Sequence, residues 1–414
     1  MKIKKIAVTV PSLAKGGLER VAVQEAQELE KFYDVTLVVM DSFRVDYPFE
    51  GKKVELSVDL ENRNILSRAY NLLKAAFKLR RIVADRKFDL MISHGELSTL
   101  PNVLSVDCDM LAVVHENRYA ALKDFQGRLV NGILKYLLSS SKVKKVVTVS
   151  EGIRGTLVER LDIDGEKIKT IYNPYDIEKI RAMAKARGEI SSIFEGLPLL
   201  VTAGRLTMQK GQWYLIRIFA ELKRRNPELK LMILGIGELK ERLVELSREL
   251  GLNVYDREEG QEIDLAYDIY FMGFMSNPFE YISVSKLFVM SSLWEGFGNT
   301  IVESMACGVP VLTSDCRSGP GEIVAPSFKK RGLEANDVYD EEYGVLMPVF
   351  ENSFVDAHSR MSEKELLWVD TIEKLLLDEE RLNRLRSKGL ERANDFSKDI
   401  IVSEWKSLIE EVSV

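Results

Sequence analysis

At 414 residues the chain is long enough for two or three domains, and its 46% hydrophobic and 29% charged residues can bury more than one core, which excludes a single small module, a disordered chain and a coiled coil. No run approaches the roughly 18 uncharged apolar residues that span a bilayer, and three widely spaced cysteines, Cys108, Cys307 and Cys316, form neither a disulfide framework nor a zinc spacing. The net charge of −6 is uneven: residues 1–190 hold 32 Lys and Arg against 26 Asp and Glu, whereas residues 191–414 hold 26 against 38. The opening MKIKKIAVTVPSLAKGG has a basic prefix, but its apolar stretch ends at Pro11, too short for a signal-peptide core, and reads as a first β-strand.

Apolar runs without alternation then recur between helical stretches, the pattern of buried parallel strands. They are IKKIAVTV, DVTLVVM, VELSV, DLMIS, MLAVVH, KVVTVS and IKTIY, followed by LPLLVTAG, LKLMILG, IYFMG, KLFVMSS, VPVLTS and YGVLMPV. Helical patterns fall at 17–31, 65–86, 211–225, 238–250, 299–307 and 371–394, with a last helix from Asp399 to Val412. Strand and helix in alternation mean doubly wound α/β, and two such series mean two Rossmann-like domains. A strand ends at Asn173-Pro174-Tyr175-Asp176, so the expected division is 1–175, a charged linker 176–198, a second domain 199–395 and a terminal segment 396–414. Residues 253–268 and 325–342 are polar and read as surface insertions.

The most informative stretch is Ser291 to Pro310, SSLWEGFGNTIVESMACGVP. A strand ends at Ser292, a glycine loop turns, and a short helix starts near Asn299 and stops at Gly308. Loop glycines let a ligand approach the backbone, and the free N–H groups at a helix start suit a phosphate or sugar hydroxyls. Glu295 before the helix and Glu303 inside it can flank one pocket. Spacing does not select them, since Glu151 with Glu159 and Glu241 with Glu249 share it; the intervening glycine loop does. Gly204-Arg205-Leu206-Thr207-Met208-Gln209-Lys210-Gly211 follows the first strand of the second series, which puts Arg205 and Lys210 at the same sheet edge. Two permanent cations there can neutralise a diphosphate. Gly16-Gly17 open a helix after the first strand and again favour an anion. His115 closes MLAVVH and precedes Glu116-Asn117-Arg118; His94 lies in ISHGE, and His358 lies in a polar segment and is assigned nothing.

With EGFGNTIVE and the ACGVPV that follows, this stretch resembles the E-x(7)-E signature of the family 4 retaining glycosyltransferases, which adopt the GT-B fold of two Rossmann-like domains facing a cleft. The resemblance covers most of the chain and is strongest from Leu199 to Val324. It implies that the C-terminal domain holds a nucleotide sugar, that the N-terminal domain holds the acceptor, and that the final helix crosses back to the first domain. Glu295 would then meet the transferred sugar's hydroxyls and Glu303 the ribose hydroxyls. Gly204 and the backbone of Phe297, Gly298, Asn299 and Thr300 would line the donor, with Arg205 and Lys210 on its diphosphate. Gly16 and Gly17 would lie near the diphosphate and the acceptor, and His115 next to the transferred sugar, followed by Glu116 where the family usually has Asp. The reaction implied is transfer from a UDP-sugar to a glycan or lipid-linked acceptor with retained configuration, with no cofactor, no metal and no carboxylate nucleophile. The stretch TSDCRSGPGEI, 313–323, looks like members that build bacterial surface polysaccharides and glycans on lipid carriers, except that Gly321 stands where they usually have Arg.

Other chemistries fit less well. Gly235-Ile236-Gly237 lacks a third glycine, Lys240 standing in its place, which counts against a nicotinamide-dependent oxidoreductase. A UDP-sugar 2-epimerase of related fold would need more acid/base residues than His94 and His115 supply. Asp107-Cys108-Asp109 has the D-x-D form of metal-dependent glycosyltransferases of another fold, but it precedes its strand. Residues 63–87 hold eight basic groups and one acid, and residues 118–145 hold seven and one. Such helices seek anionic lipid or phosphate, or are solvated faces. The expectation is a cytoplasmic protein, without nucleic-acid partners, that docks on the inner membrane face through helix 65–86, where Leu66, Leu73 and Phe77 accompany Arg68, Lys74, Lys78 and Arg81.

Overall fold

The computed structural model describes residues 4–14, 16–45, 47–59, 65–105, 107–116, 125–186, 188–327 and 336–412. The chain forms two compact units, Met1–Tyr175 with Lys398–Val414, and Asp176–Ser397.

The first unit is built on one parallel sheet of β1 (Lys5–Leu13), β2 (Asp34–Val45), β3 (Lys52–Glu55), β4 (Leu90–His94), β5 (Met110–Val114), β6 (Val143–Thr148) and β7 (Ile168–Thr170), in the order β3-β2-β1-β4-β5-β6-β7. Ile6, Ala7, Val8 and Val10 of the central strand are fully buried, which is why its sequence does not alternate. β1 runs past Pro11 to Leu13, further than the sequence suggests. Its pairing with β4 stops at Thr9 and only β2 continues beside it, so the missing N–H of Pro11 costs the β4 side nothing.

Helix Gly17–Leu29 buries Val21, Ala22, Ala26 and Leu29. Helix Lys398–Val412 belongs to the same unit and packs against it, with Trp405, Leu408 and Ile409 buried. Lys145 reaches Glu411 at 3.1 Å, and the Lys406 ammonium lies 3.9 Å from the Phe32 ring centre. Helix Ile65–Arg86 buries Ala75 and Leu79 but turns Leu66, Tyr70, Leu73 and Phe77 to solvent, Leu66 at 81% exposure. Arg81 stacks over Phe77. Helix Phe125–Ser139 likewise exposes Leu129, Ile133 and Tyr136. The Arg68 side chain and residues Arg63, Arg118 and Lys123 of the basic clusters lie outside the described part. Among the described residues no helix is long and apolar enough to cross a membrane.

The second unit carries β8 (Leu199–Ala203), β9 (Lys230–Leu234), β10 (Val254–Asp256), β11 (Ile269–Gly273), β12 (Leu287–Met290), β13 (Val311–Ser314), β14 (Tyr339–Asp340) and β15 (Val345–Met347), in the order β10-β11-β9-β8-β12-β13-β15-β14. Every pair is parallel except β14 with β15. β10 and β14 fall inside the two segments read as insertions; at three and two residues they are too short to leave an apolar run. Residues 328–335 of the second insertion lie outside the described part. The helical pattern 371–394 resolves into helices Glu363–Leu377 and Glu379–Asn394, because Asp378 turns its carboxylate onto the Arg381 N–H at 2.9 Å and caps the second. The charged segment 176–198 is folded into this unit: Ile177 and Ile180 are buried, Asn277 donates to the Met183 carbonyl at 2.9 Å, and Phe194 meets the Tyr270 ring edge-on. Trp213, Phe219 and Trp368 anchor the core. Across it the fully buried Arg217 pairs with Glu365 at 2.6 Å and donates to the Asp356 and Ser359 carbonyls, so the charge is satisfied on several sides.

Candidate active site

In the second unit the strand order reverses between β8 and β12, with β9, β11 and β10 beyond one and β13 and β15 beyond the other. The crevice at the carboxyl ends of such a pair is where doubly wound sheets bind ligands. The loop after β8 and the loop after β12 meet there. The Leu293 N–H donates to the Gln209 carbonyl at 2.8 Å, and the Ser291 hydroxyl to the carbonyls of Lys210 and Gly211 at 3.2 and 3.1 Å.

These bonds set the geometry of Glu295, which is only 6% exposed. Its Oε1 accepts from the Lys210 ammonium and from the Ser292 hydroxyl at 2.7 Å, its Oε2 from Gln209 Nε2 at 3.4 Å, and its carbonyl from the Ser318 hydroxyl at 2.6 Å. Lys210 and Glu295, expected at one edge, are thus an ion pair. Arg205 is exposed and, among the described residues, its guanidinium makes no ion pair; its carbonyl is held by Gln212 Nε2 at 3.0 Å. Gly204 directly follows β8 and backs onto Lys210, and a Cβ there would lie 3.1 Å from Lys210 Cε, displacing the side chain.

Gly298, with φ 100°, opens helix Asn299–Ala306 and brings no capping side chain, so this end of the helix is left to other partners. Phe297 buries its ring edge-on against Phe396, which leaves its main chain as the part able to meet a ligand. Thr300 stands in the first turn, and Glu303, 3% exposed, lies one turn on. Behind the loop Gly319, at φ 89°, presses on the Phe297 carbonyl, where a Cβ would come within 2.0 Å of the oxygen. Burial and the neighbouring Glu303 push the Cys307 thiol up, and burial with Glu295 does the same to Cys316, so both thiols stay protonated and unreactive. Gln209, Ser292, Ser318 and Gly319 carry no role in the sequence reading, although all four lie inside the quoted stretches; only the fold shows them converging on Glu295 and its loop.

In the first unit His94 ends β4 and His115 follows β5, the adjacent strand, with His94 Nδ1 2.9 Å from His115 Nε2. Burial holds His94 down at about 3, and burial with the neighbouring His94 lowers His115. Glu25, from helix Gly17–Leu29, brings Oε1 to 3.5 Å from His94 Nε2, and burial raises its carboxyl well above the usual range. Sequence reading gave Glu25 no role. Gly16 caps the same helix in an extended conformation and Gly17 begins it. Here the Glu19 carboxylate folds over Gly16, its Oε2 only 2.0 Å from where a Cβ would stand, so the helix start expected to face a ligand anion faces one of the chain's own. Glu116 is exposed, and Asn117 lies outside the described residues. Asp107 and Asp109 sit at the amino end of β5, opposite the histidine edge. Asp109 pairs with Lys144 at 3.2 Å, and the Cys108 thiol between them is pushed up to about 11 by burial and the surrounding acids. Among the described residues no group of His, Cys, Asp and Glu is placed to hold a metal ion.

The family model described as Glycosyltransferase Family 4 matches residues 15–179, and that described as Glycosyl transferases group 1 matches residues 186–340. The chain is 30% identical over 366 residues to an uncharacterized glycosyltransferase of Methanocaldococcus jannaschii, covering 84% of this chain and 86% of the relative. It is 26% identical over 374 residues to the Campylobacter jejuni N-acetylgalactosamine-N,N'-diacetylbacillosaminyl-diphospho-undecaprenol 4-alpha-N-acetylgalactosaminyltransferase, covering 88% and 92%. Among solved structures, the sucrose-phosphate synthase of Thermosynechococcus elongatus matches with a TM-score of 0.74 at 17% identity over 99% of both chains. Anabaena HepE in complex with UDP-glucose matches with a TM-score of 0.69 at 16% identity over 98% and 99%. Together with two doubly wound units and the Glu295 to Glu303 loop at a switch point, these likenesses establish that the chain belongs to the family 4 glycosyltransferases of the GT-B fold.

Proposed function

We propose that the chain transfers a hexosyl or N-acetylhexosaminyl group from a UDP-sugar to a lipid-linked glycan, with retained anomeric configuration and without a metal ion, at the cytoplasmic face of a membrane. The observation that carries the donor half is the buried Lys210–Glu295 pair beside the start of helix Asn299–Ala306. An ammonium has three N–H donors and Glu295 takes one, leaving two for a diphosphate, to which Arg205 adds a fork of its own. As the sugar leaves through an oxocarbenium-like state, negative charge grows on that diphosphate, and these cations with the positive helix end stabilise it. Glu295 Oε2, held among the described residues by a single long bond from Gln209, keeps acceptor capacity for a sugar hydroxyl. Glu303 is assigned to the ribose and His115 to a substrate hydroxyl.

The acceptor half draws on the named substrate of the Campylobacter jejuni relative and on that of an Escherichia coli relative, UDP-Gal:alpha-D-GlcNAc-diphosphoundecaprenol alpha-1,3-galactosyltransferase, 23% identical over 394 residues. The exposed stripe Leu66, Tyr70, Leu73 and Phe77, lying beside Lys74 and Arg81, has the composition of a surface that rests on anionic lipid.

Thermal unfolding with a panel of nucleotides tests the donor. A ligand at 100 times its dissociation constant adds about 2.7 kcal/mol of stability, so UDP and its preferred sugar conjugate shift the transition while GDP and CDP do not. No shift with any nucleotide would end the reading. Proton spectra of the first product give the anomeric configuration, and inversion refutes retention. Turnover survives EDTA; loss on chelation restored by manganese refutes the metal-free mechanism.

A further inference from the structure

Three titratable side chains of the first unit stand in line: Glu25, His94 and His115. The first two are almost fully buried, and only His115 reaches the surface. His94 Nδ1 faces His115 Nε2 at 2.9 Å, and His94 Nε2 faces Glu25 Oε1 at 3.5 Å, too far for a well-formed hydrogen bond. Neither of those last two atoms has any other partner among the described residues. Buried polar atoms are almost always paired, so this couple has to be satisfied by what passes between its own two members.

A neutral imidazole donates from one nitrogen and accepts at the other. The Glu25–His94 couple holds either one titratable proton or two. With two, one lies between the carboxyl group and His94 Nε2, and the other sits on His94 Nδ1 and is donated to His115 Nε2. Neutral His115 then carries its own proton on Nδ1, the atom that has no hydrogen-bond partner among the described residues. With one, that proton sits on His94 Nε2 facing a carboxylate, Nδ1 becomes an acceptor, and His115 must donate inward from Nε2 and show a bare lone pair. A carboxyl proton on Glu25 Oε2 would meet no acceptor among the described residues, so in the two-proton couple it lies on Oε1 against His94 Nε2, and the proton count then decides what the outer ring offers.

We infer that Glu25 and His94 are positioning residues that hold two protons between them, so that His115 keeps an Nδ1–H donor turned to a substrate oxygen. The one-proton state would strand a net negative charge where two of the three groups are sealed from water. Burial in fact pushes Glu25 up toward its neutral form and both histidines down toward theirs. A ring fixed this way accepts no proton from substrate through Nδ1; it recognises a lone pair on a hydroxyl, ring or phosphate oxygen. The inference rests on His115 meeting substrate as proposed above, but the tautomer itself is readable with no substrate present.

Long-range proton–nitrogen spectra of the full chain with labelled histidine distinguish the two tautomers, and with three histidines in the sequence His358→Gln and His94→Asn assign the rings. His115 is expected as Nδ1–H, unchanged in Glu25→Gln, whose amide donates to the same His94 nitrogen, and mixed in Glu25→Leu. An Nε2–H tautomer of His115 in the unsubstituted chain overturns the inference, as does an unchanged Nδ1–H population in Glu25→Leu. In turnover, His94→Leu loses about tenfold with the donor KM within about twofold, and His94→Asn, whose amide N–H stands where Nδ1–H stood, recovers most of it. Equal losses in the two variants also overturn it. The expected tautomer in a chain that transfers no sugar leaves the inference standing and removes only the functional reading.

Discussion

At the scale of single residues, Lys210 and Arg205 look interchangeable in the sequence and are not. On the proposed mechanism each is a preorganised cation for developing phosphate charge, so both substitutions to alanine should lower turnover at saturating donor by about 10² to 10³. Lys210→Ala also leaves the buried Glu295 carboxylate without its ammonium, so it should lose roughly 1–3 kcal/mol of stability in urea unfolding, whereas exposed Arg205→Ala should lose almost none. Equal midpoints for the two variants would contradict the pairing. His94 makes a second prediction. It titrates near 6.5 in an unfolded chain and is held at about 3 by burial, so between those values the unfolded state binds more protons. Its contribution to stability is complete above about pH 6.5 and falls by about 1.4 kcal/mol per pH unit as the pH drops toward 3. Glu25, raised from 4.5, acts in the opposite sense and loses stability as the pH rises through its folded value. Urea midpoints from pH 7 to pH 4.5 should therefore fall in the unsubstituted chain relative to His94→Asn, and parallel profiles would show that His94 does not stay neutral.

At the scale of elements, the loop that leads into helix Asn299–Ala306 depends on a glycine behind it. Gly319→Ala forces both a left-handed backbone and a Cβ against the Phe297 carbonyl, which should cost roughly 1–3 kcal/mol and move Phe297–Gly298 off the start of helix Asn299–Ala306. UDP affinity by calorimetry should fall accordingly, while Gly260→Ala, also at positive φ but with open space around it, should leave affinity unchanged. The long strands were legible in the sequence because strands buried on both faces write themselves as unbroken Val, Ile and Leu runs, and the glycine loop was legible because EGFGNTIVE followed by ACGVPV resembles a family signature. What was hidden had no local signature. Glu25 sits among Gln24, Glu28 and Glu30 with nothing in the sequence to set it apart, and only the placement of His94 opposite singles it out. Asp378 lies in an apparently continuous helical run, and its capping role exists only once the backbone has turned. Glu19 reads as an ordinary first-turn acid, although its fold back over Gly16 occupies a place the glycines suggested for a ligand.

At the scale of the whole molecule, charge and exposed apolar area lie in the same unit. Each basic group near an anionic leaflet adds about 1 kcal/mol, screened over about 8 Å at physiological salt, so flotation with anionic vesicles should weaken as salt rises. Leu73→Asp with Phe77→Asp should abolish flotation while leaving UDP affinity intact, and a protein that ignores anionic vesicles at low salt would point to a soluble acceptor. The first unit is also unusual in its bookkeeping of chain. It is closed by helix Lys398–Val412, whose first N–H donates to the Tyr175 carbonyl at 2.8 Å, the last residue before the second unit begins. On the ribosome this reverses the usual order of completion. The second unit is synthesised whole, 176–397, while the first is still waiting for the piece that carries Trp405, Leu408 and Ile409. A polypeptide released early would therefore hold a finished second unit and an unfinished first one, and quality control that senses exposed apolar surface would find its target in the older part of the molecule, not the newer.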